Sequence, residues 1–187
     1  MKSNLRAASG LAAGILFAAS AWATTVVDKS RATMAQESTL IVTGQCSDLA
    51  SAWIGRELVT VATVQVDEQI KGQSAGKIQV IIPGGIDANR AIPLALTVPG
   101  APRILPGEQV LLFLADENRV RDGYAVVGFS QGKFSLIANP DGSKAASQDL
   151  TQLTLAGAKS TRPGTAHAVP LAQIRQEIQN ALAALPQ

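Results

Sequence analysis

The stretch that decides the fold is Glu57–Ile82, which reads ELVTVATVQVDEQIKGQSAGKIQVII. Its first half is rich in Val and Thr, and Gln65, Asp67 and Gln69 make alternate positions polar towards its end. Because successive side chains of a strand point to opposite faces, this alternation predicts a strand with one solvent-exposed face. A glycine-containing turn at residues 71–76 separates it from a second apolar run. Two such runs joined by a short turn predict an antiparallel hairpin.

Further short strands are predicted on both sides of this hairpin, at Thr39–Cys46, Glu108–Ala115, Tyr124–Phe129 and Lys133–Ile137. The run from Glu108 to Ala115 is almost wholly apolar, as expected of a core strand that is covered on both faces. We therefore expect a mainly β fold, a small closed antiparallel OB-like barrel of five to six strands with a C-terminal helix. A β-sandwich is the alternative, and the lack of helix-length segments between the strands disfavours a parallel α/β sheet.

A long connection separates the hairpin from the next strand. Pro83–Gly84–Gly85 is expected to end the hairpin, and the chain then runs to Pro106–Gly107 through Pro93, Pro99 and Pro102. Because proline and glycine interrupt regular structure, this segment is predicted to be irregular. Loops of this length in a compact domain are often functional, so residues 84–106 are the expected binding loop.

The C-terminal segment predicts an amphipathic helix that begins at Pro170. Apolar residues recur there at spacings of three and four, which marks one helix face. This face consists of Leu171, Ile174, Ile178, Ala181 and Leu185. We expect it to pack on the barrel, and a partner-binding or dimerising helix is the alternative.

The first 23 residues predict a secretory signal peptide. Lys2 and Arg6 provide a basic start, an apolar run follows, and Ala21–Ala23 offers small residues for cleavage. The apolar run is too short to span a bilayer as a stable helix. We expect a secreted or periplasmic protein, cleaved near Ala23. The remaining chain is then divided into an N-terminal arm at 24–37, a barrel domain at 38–156, a linker at 157–169 and the helix at 170–185.

Composition limits the partners of the mature chain. Loss of Lys2 and Arg6 with the leader brings the 16 basic residues down to the number of acidic residues, 14, and the formal net charge to zero. Such a chain releases few counterions from a polyanion, so nucleic acid is not an expected partner. Cys46 is the single cysteine, which excludes an internal disulfide. We interpret it as a small buried hydrophobe, with an intermolecular disulfide or a reactive thiol as the alternative.

One catalytic motif matches in form. Gly128–Gly132 fits G-x-S-x-G with Ser130 as the nucleophile, and Asp141 or Asp149 and then His167 follow in triad order. Such a serine needs a sharp strand-to-helix turn, whereas the residues after it predict a strand. We therefore interpret the motif as a turn between two strands, with its glycines at positive φ. The prediction is that the protein is not an enzyme.

No metal or cofactor site is predicted either. His167 is the single histidine, whereas zinc sites normally use several His or Cys ligands. Asp116, Glu117 and Asp122 lie near one tight turn, where we interpret them as solvated carboxylates, with a weak calcium site as the alternative. No glycine-rich phosphate loop is present.

Three segments, Ser38–Cys46, Val64–Gly72 and Gly107–Leu114, resemble barrel strands of netrin-like modules, whose best-known members are the tissue inhibitors of metalloproteinases. The second segment closes in the Lys-Gly turn that is typical of those modules. The resemblance extends over about residues 38 to 137 and also includes uncharacterised exported bacterial proteins of this architecture. It implies an OB-type barrel.

The resemblance stops short of the inhibitory site. Those inhibitors place an N-terminal cysteine on the protease zinc, whereas the expected mature chain begins at Thr24 and Cys46 is internal. Two hypotheses for function follow. In the first, an exported non-catalytic module engages or inhibits another exported protein, a metalloprotease by resemblance, through the loop at 84–106. In the second, a structural or envelope-associated protein assembles through its C-terminal helix.

Overall fold

The computed structural model describes residues 24–118, 120, 123–156 and 168–184. The predicted signal peptide, most of the predicted linker, His167, Asp122 and Leu185 lie outside these ranges. The elements in chain order are β1 (Thr24–Val27), α1 (Arg31–Glu37), β2 (Leu40–Ile54), β3 (Glu57–Lys71), β4 (Lys77–Asp87), β5 (Leu94–Thr97), β6 (Gln109–Asp116), β7 (Gly123–Val126), a 3₁₀ turn (Phe129–Gly132), β8 (Lys133–Ala138), β9 (Lys144–Ser147), β10 (Leu153–Ala156), β11 (Val169–Pro170) and α2 (Leu171–Ala183).

Five strands close into a ring, and the fold is mainly β with a C-terminal helix, as predicted. β2, β3 and β4 pair in order, β6 pairs with the other edge of β2, and β7 closes the ring between β4 and β6. Such a five-strand ring is the arrangement of an OB-like barrel. One pair in the ring departs from the antiparallel pattern, because β4 and β7 are parallel. Strands of alternating direction cannot close an odd-numbered ring without one parallel pair.

Alternating side chains of β2 and β6 separate two apolar cores. Leu40 and Leu112 point into the barrel, where they join one buried cluster. Ile41 and Phe113, one position away on each strand, point outwards into a second cluster beneath the helices. This two-sided burial confirms the prediction of a β6 that is covered on both faces. The face of the barrel that carries the second cluster is therefore not exposed to water.

The second strand of the predicted hairpin does not end at Pro83–Gly84–Gly85. β4 continues to Asp87, because a backbone without side chains can cross closely over the neighbouring strands there. Gly84 has φ of 93°, and a Cβ on Gly85 would lie 2.8 Å from Ser51 Oγ and 3.0 Å from the Val59 carbonyl oxygen. The segment predicted to be irregular contains β5, which pairs antiparallel with this extension of β4.

Other elements were missed or shortened by the sequence patterns. β2 extends eight residues past Cys46, to Ile54. The turn at residues 139–143 leads into β9, which pairs with β8, and the end of the predicted linker forms β11, which pairs with β9. β10 pairs in parallel with β1 in a separate two-stranded sheet. Each of these added strands is four residues or shorter, apart from β2, and so carries little periodicity of its own.

The C-terminal helix packs on the outer face of the sheet. Leu171, Ile174, Ile178 and Ala181 are all buried, which confirms the predicted apolar face as far as the described residues reach. Helix α1 lies beside α2 and is tied to it by Arg31, whose guanidinium donates to both carboxylate oxygens of Glu177. The helices thus form one layer over the second core.

Lys71 anchors α1 to the barrel. Its ammonium donates to the carbonyl oxygens of Ala35, Gln36 and Ser38, at 2.8, 3.2 and 2.5 Å. These are carbonyls at the end of α1, where the helix itself provides no N–H partner. Gly72 follows with φ of 76°, so the Lys-Gly turn positions the helix layer relative to β2 and β3.

Candidate functional site

The G-x-S-x-G motif lies in the 3₁₀ turn between β7 and β8. Ser130 is followed by strand β8 instead of a long helix, as predicted, so the sharp strand-to-helix turn of a hydrolase nucleophile is not formed. Gly128 has φ of 70°, but Gly132 was wrongly expected to share this conformation. A Cβ on Gly132 would lie 2.3 Å from the Val127 carbonyl oxygen, so this glycine is required by space.

Backbone strain and a buried amide shape the same turn. Phe129 has φ of 59°, in the left-handed region that residues other than glycine seldom adopt. Gln131 is buried, accepts a hydrogen bond from the Lys29 N–H and donates to the carbonyl oxygens of Val27 and Gly128. The turn is therefore held from the β1 side, and Ser130 is fixed with it.

The structure brings together Ser130 and Asp149 but not Asp141. Both line one cavity of about 400 Å³, at the lower end of the range for small-molecule sites. Asp141 lies in the β8–β9 turn, where its carboxylate accepts from the N–H and hydroxyl of Ser143, which lower its pKa. His167 lies outside the described residues.

This cavity, termed here the polar pocket, opens beside the segment predicted to bind. Its wall combines apolar side chains with four charged ones. It is lined by Ala101, Arg103, Leu105, Glu108, Ser130, Lys133, Ser135, Asp149 and Gln152. Ala101, Arg103 and Leu105 belong to the long connection between β5 and β6. Lys133 and Ser135 project from β8 on the face of Val110 and Leu112, which is the face of the barrel interior.

A buried ion pair forms the floor of the polar pocket. The Lys133 ammonium lies 2.5 Å from Glu108 Oε1, with the two side chains only 8% and 17% exposed. Lys133 also donates to Ser135 Oγ at 2.7 Å, and Ser135 Oγ donates to the same Glu108 oxygen at 2.5 Å. The Leu105 N–H donates to the other carboxylate oxygen, Oε2, at 2.8 Å. The connection before β6 and strand β8 are therefore joined at the Glu108 carboxylate.

The hydrogen bonds of this floor favour the charged form of Glu108. Burial raises the pKa of Glu108, but hydrogen bonds from Lys133, Ser135 and the Leu105 N–H outweigh burial and hold the pKa below its usual value. A carboxylate of low pKa is a weak base towards the Ser135 hydroxyl.

Among the described residues, no group of three His, Cys, Asp or Glu side chains is arranged to hold a metal ion. Asp116 accepts a hydrogen bond from Thr39 Oγ1 at 3.1 Å, which fixes it at the end of β6. Glu117 follows it in the turn, and Asp122 lies outside the described ranges. Within the part of the chain that the structure describes, these positions provide no set of ligands for the alternative of a calcium site.

Cys46 is fully buried in the barrel core beside Leu40 and Val42, which confirms the predicted interpretation. Burial raises the pKa of its thiol, and the negative charges of Glu108 and Asp48 act in the same direction, against a hydrogen bond to the Asp48 carbonyl. A buried neutral thiol is a small apolar side chain and not a nucleophile.

A second surface stands out by its exposed apolar side chains. The hairpin patch, as we call it, lies on the ends of β2 and β4, on β5 and on the turn between β4 and β5. It consists of Trp53, Ile86, Ile92, Leu94 and Leu96, which are 47%, 63%, 83%, 37% and 45% exposed. Single exposed apolar residues are ordinary, whereas several in one region mark an interaction surface.

The pairing of β4 with β5 places part of the hairpin patch on one face. Leu94 lies opposite Asp87, and directly opposed residues of an antiparallel pair point to the same side. The Asp87 carboxylate accepts a hydrogen bond from Trp53 Nε1 at 2.8 Å. Because Leu96 is two residues from Leu94, the indole and both leucines border the same face of the hairpin.

The hairpin patch also contains an open strand edge and two free cations. β5 is the last strand of its sheet, so within the described chain its outer edge has no partner strand. Arg56 and Arg90 are each three residues from a partner in the Trp53–Asp87 hydrogen bond. Neither guanidinium forms an ion pair or side-chain hydrogen bond with a residue that the structure describes.

Sequence reasoning missed Glu108, Lys133 and Ser135 as site residues. Two polar residues at alternate positions of the apolar strand KFSLIA were the available signal, because they share one face. Glu108 is 25 residues from Lys133, and nothing in its local sequence indicates the contact. Trp53 was missed because β2 was expected to end at Cys46.

No protein-family model, curated protein or solved structure matches this chain. The resemblance to netrin-like modules therefore rests on the three sequence segments and stays a prediction. Among the residues that the structure describes, no helix is both long enough and apolar enough to cross a membrane.

Proposed function

We propose that this protein is an exported, non-catalytic binding module that engages another exported protein through the hairpin patch. The observation that carries the proposal is the open edge of β5, which has exposed leucines at alternate positions and no charge or proline within the strand. Natural sheets usually protect such an edge with charges, prolines or a covering element. An edge left open is therefore suited to a partner strand.

The proposed occupant is an extended segment of the partner that adds to the sheet as a strand beside β5. Backbone hydrogen bonds to the free edge would supply affinity, and apolar side chains at alternate positions would meet Leu94, Leu96 and Trp53. The two unpaired guanidinium groups of Arg56 and Arg90 favour a segment that also carries acidic residues. The segment is thus expected to be extended, apolar at every second position and acidic nearby.

The polar pocket supports a binding role over a catalytic one. The residues after Ser130 form strand β8 instead of the helix that a hydrolase nucleophile needs, and Lys133 lies in an ion pair with Glu108. The resemblance to netrin-like modules favours a metalloprotease as the exported partner. No inhibitory cysteine is available to bind its zinc, so inhibition would require occupation of a protease surface by the hairpin patch.

The alternative of assembly through the C-terminal helix has less support. The apolar face of α2 is already covered, with Ile174 and Ile178 both 0% exposed. A face buried within one copy cannot at the same time join two copies. We therefore place the partner on the hairpin patch.

A displayed library of random peptides, panned on the full chain, tests this proposal directly. Selected peptides should alternate apolar and other residues and be enriched in Asp and Glu. Leu96→Lys should weaken their binding by at least about tenfold, because a charge on a strand edge disfavours pairing. Bound peptide should also slow amide hydrogen exchange in β5.

Ile137→Lys is the matched control, since Ile137 is 54% exposed on β8, away from the hairpin patch. It should leave peptide binding unchanged. Peptides that bind equally well to the Leu96→Lys variant, or that protect a segment other than β5, would contradict the proposal.

A further inference from the structure

The polar pocket has features of a ligand site that are independent of the hairpin patch. Its floor is buried and polar, with Ser130 8% and Lys133 7% exposed. Its rim is charged and exposed, with Arg103 contributed by the connection before β6 and Asp149 by the segment after β9. A buried polar floor below a charged rim is the arrangement expected where a small polar molecule enters from solvent.

The floor offers hydrogen-bonding groups that the protein leaves unused. The Ser130 hydroxyl forms no hydrogen bond with any described residue, although Ser130 is more than nine-tenths buried and lines the cavity. Lys133 uses two of its three ammonium protons, on Glu108 and Ser135. The Ser130 oxygen itself opens to the cavity, so a hydroxyl without a protein partner is available there to a ligand atom.

The rim carries one charge of each sign, and neither forms a direct ion pair with a described residue. The pKa of Asp149 is lowered mainly by hydrogen bonds from Thr151 and further by the charges of Lys133 and Arg103. Arg103 forms no ion pair or side-chain hydrogen bond within the described structure. Asp149 uses Oδ1 to accept from the N–H and hydroxyl of Thr151, at 3.1 and 2.7 Å, and leaves Oδ2 free. Glu108 and Lys133 neutralise each other below, so the net charge of the pocket is zero.

We infer that the polar pocket binds a small zwitterion, with the ligand carboxylate on Arg103 and the Ser130 hydroxyl and the ligand ammonium on Asp149 Oδ2. A planar guanidinium matches a carboxylate through two parallel hydrogen bonds. A simple anion would bring a second negative charge close to Asp149. A simple cation would bring a second positive charge close to Arg103. A free amino acid or the combined termini of a short peptide satisfy both groups.

Isothermal titration of the full chain with L-alanine and with L-alanyl-L-alanine tests the inference. At least one of the two should bind, and which one binds identifies the length of the ligand. N-acetylation of the bound compound should weaken binding by about tenfold or more, because it removes the ammonium. Amidation of its carboxylate should weaken binding to a similar extent.

Variants assign the two charges to their residues. Arg103→Gln should abolish the preference for the free carboxylate over the amide. Asp149→Asn should abolish the preference for the free amine over the acetylated form, while its remaining oxygen still accepts from Thr151. Ser130→Ala should lower the affinity for the carboxylate with no change in the melting temperature. Lys77→Gln, which removes an exposed positive charge at the start of β4 and outside both proposed sites, is the matched control and should bind like wild type.

Two outcomes would overturn the inference. One is the absence of heat and of thermal stabilisation with both zwitterions at millimolar concentration, while the wild-type chain is folded. The other is binding that the capped compounds or the Arg103→Gln variant reproduce at full strength. Neither outcome bears on the peptide-binding test of the hairpin patch, so the two proposals fail separately.

Discussion

Two extensions of the sheet leave the same barrel, and one is covered by a helix whereas the other is exposed to solvent. One, the covered arm, continues from β6 through β8 and β9 to β11 and lies under helix α2. The other, the exposed arm, is the end of β4 beyond Pro83 together with β5, and all four residues of β5 are exposed. Both arms carry large apolar side chains at alternate positions. The difference indicates that the apolar residues of the exposed arm serve something other than the core.

The outermost strands of the two arms repeat this contrast. β11 is two residues long, includes Pro170 and leads directly into α2. A short edge with a proline and a neighbouring helix offers little to a foreign strand. β5 is twice as long, and the described structure places no element beside its outer edge. Protection at one edge and its absence at the other are consistent with binding at β5.

Truncation of the helix that covers one arm should have the largest effect on stability. Ile178→Ala removes a side chain that is 0% exposed and in contact with the second core. Loss of a buried isoleucine costs about 2–5 kcal/mol, because a cavity remains where the side chain packed. Chemical denaturation should show this loss of unfolding free energy, while light scattering shows an unchanged molecular mass.

The same variant distinguishes packing from assembly. If α2 joined two copies, Ile178→Ala would convert a dimer to a monomer and leave the melting of the barrel nearly unaffected. That result would remove the contrast between a covered arm and an exposed one.

The ion pair between Glu108, just before β6, and Lys133 of β8 should have the next largest effect. Glu108→Gln leaves the Lys133 ammonium without a charged partner and should cost about 1.5–3 kcal/mol of unfolding free energy. Adding Lys133→Met should recover most of this loss, since an uncharged pair of similar volume no longer contains a buried unpaired charge. A double-mutant cycle in urea measures the coupling. If the losses of unfolding free energy in the two single variants are additive in the double variant, the ion pair does not stabilise the covered arm.

A smaller effect is expected from pH. The pKa of Glu108 is lower in the folded chain than its ordinary value near 4.3, so the folded state favours the carboxylate. The stabilisation by this charge is therefore complete above about pH 4.3 and is lost as the pH falls through the folded pKa. The difference in unfolding free energy between wild type and Glu108→Gln should shrink as the pH is lowered from 6 to 2. A difference that stays constant would assign the stabilisation to packing.

The sequence predicted the covered parts of the molecule better than the exposed arm. The periodicity of Glu57–Ile82 and the apolar face from Leu171 to Ala181 are set by burial, which leaves a regular pattern in the residues. The residues Pro83–Gly85 locally predict the end of a strand. The strand nevertheless continues, because Gly85 packs closely against Ser51 and Val59. That contact depends on how β4 crosses two other strands, which no local pattern records.

The polar pocket was unpredictable for a related reason. Its residues come from the connection before β6, from the 3₁₀ turn, from β8 and from the segment after β9, and the register of β6 with β8 brings them together. Formal matching to a hydrolase motif identified Ser130 and Asp149, but with roles that the surrounding structure does not support. Their shared position in one cavity is a property of the fold and not of the spacing in the motif.

A charge placed on each arm should give the smallest effect and the sharpest contrast. Leu96→Lys on the exposed arm should change the unfolding free energy by less than about 0.5 kcal/mol, because the lysine stem can cover the same neighbours while its ammonium reaches water. Leu136→Lys is the matched substitution on β8, where the leucine is 9% exposed within the second core, and it should cost several times more. Thermal and urea melts of the two variants make the comparison. Equal losses would show that Leu96 belongs to the stabilising core, and the open edge of β5 would then have a structural explanation that requires no partner.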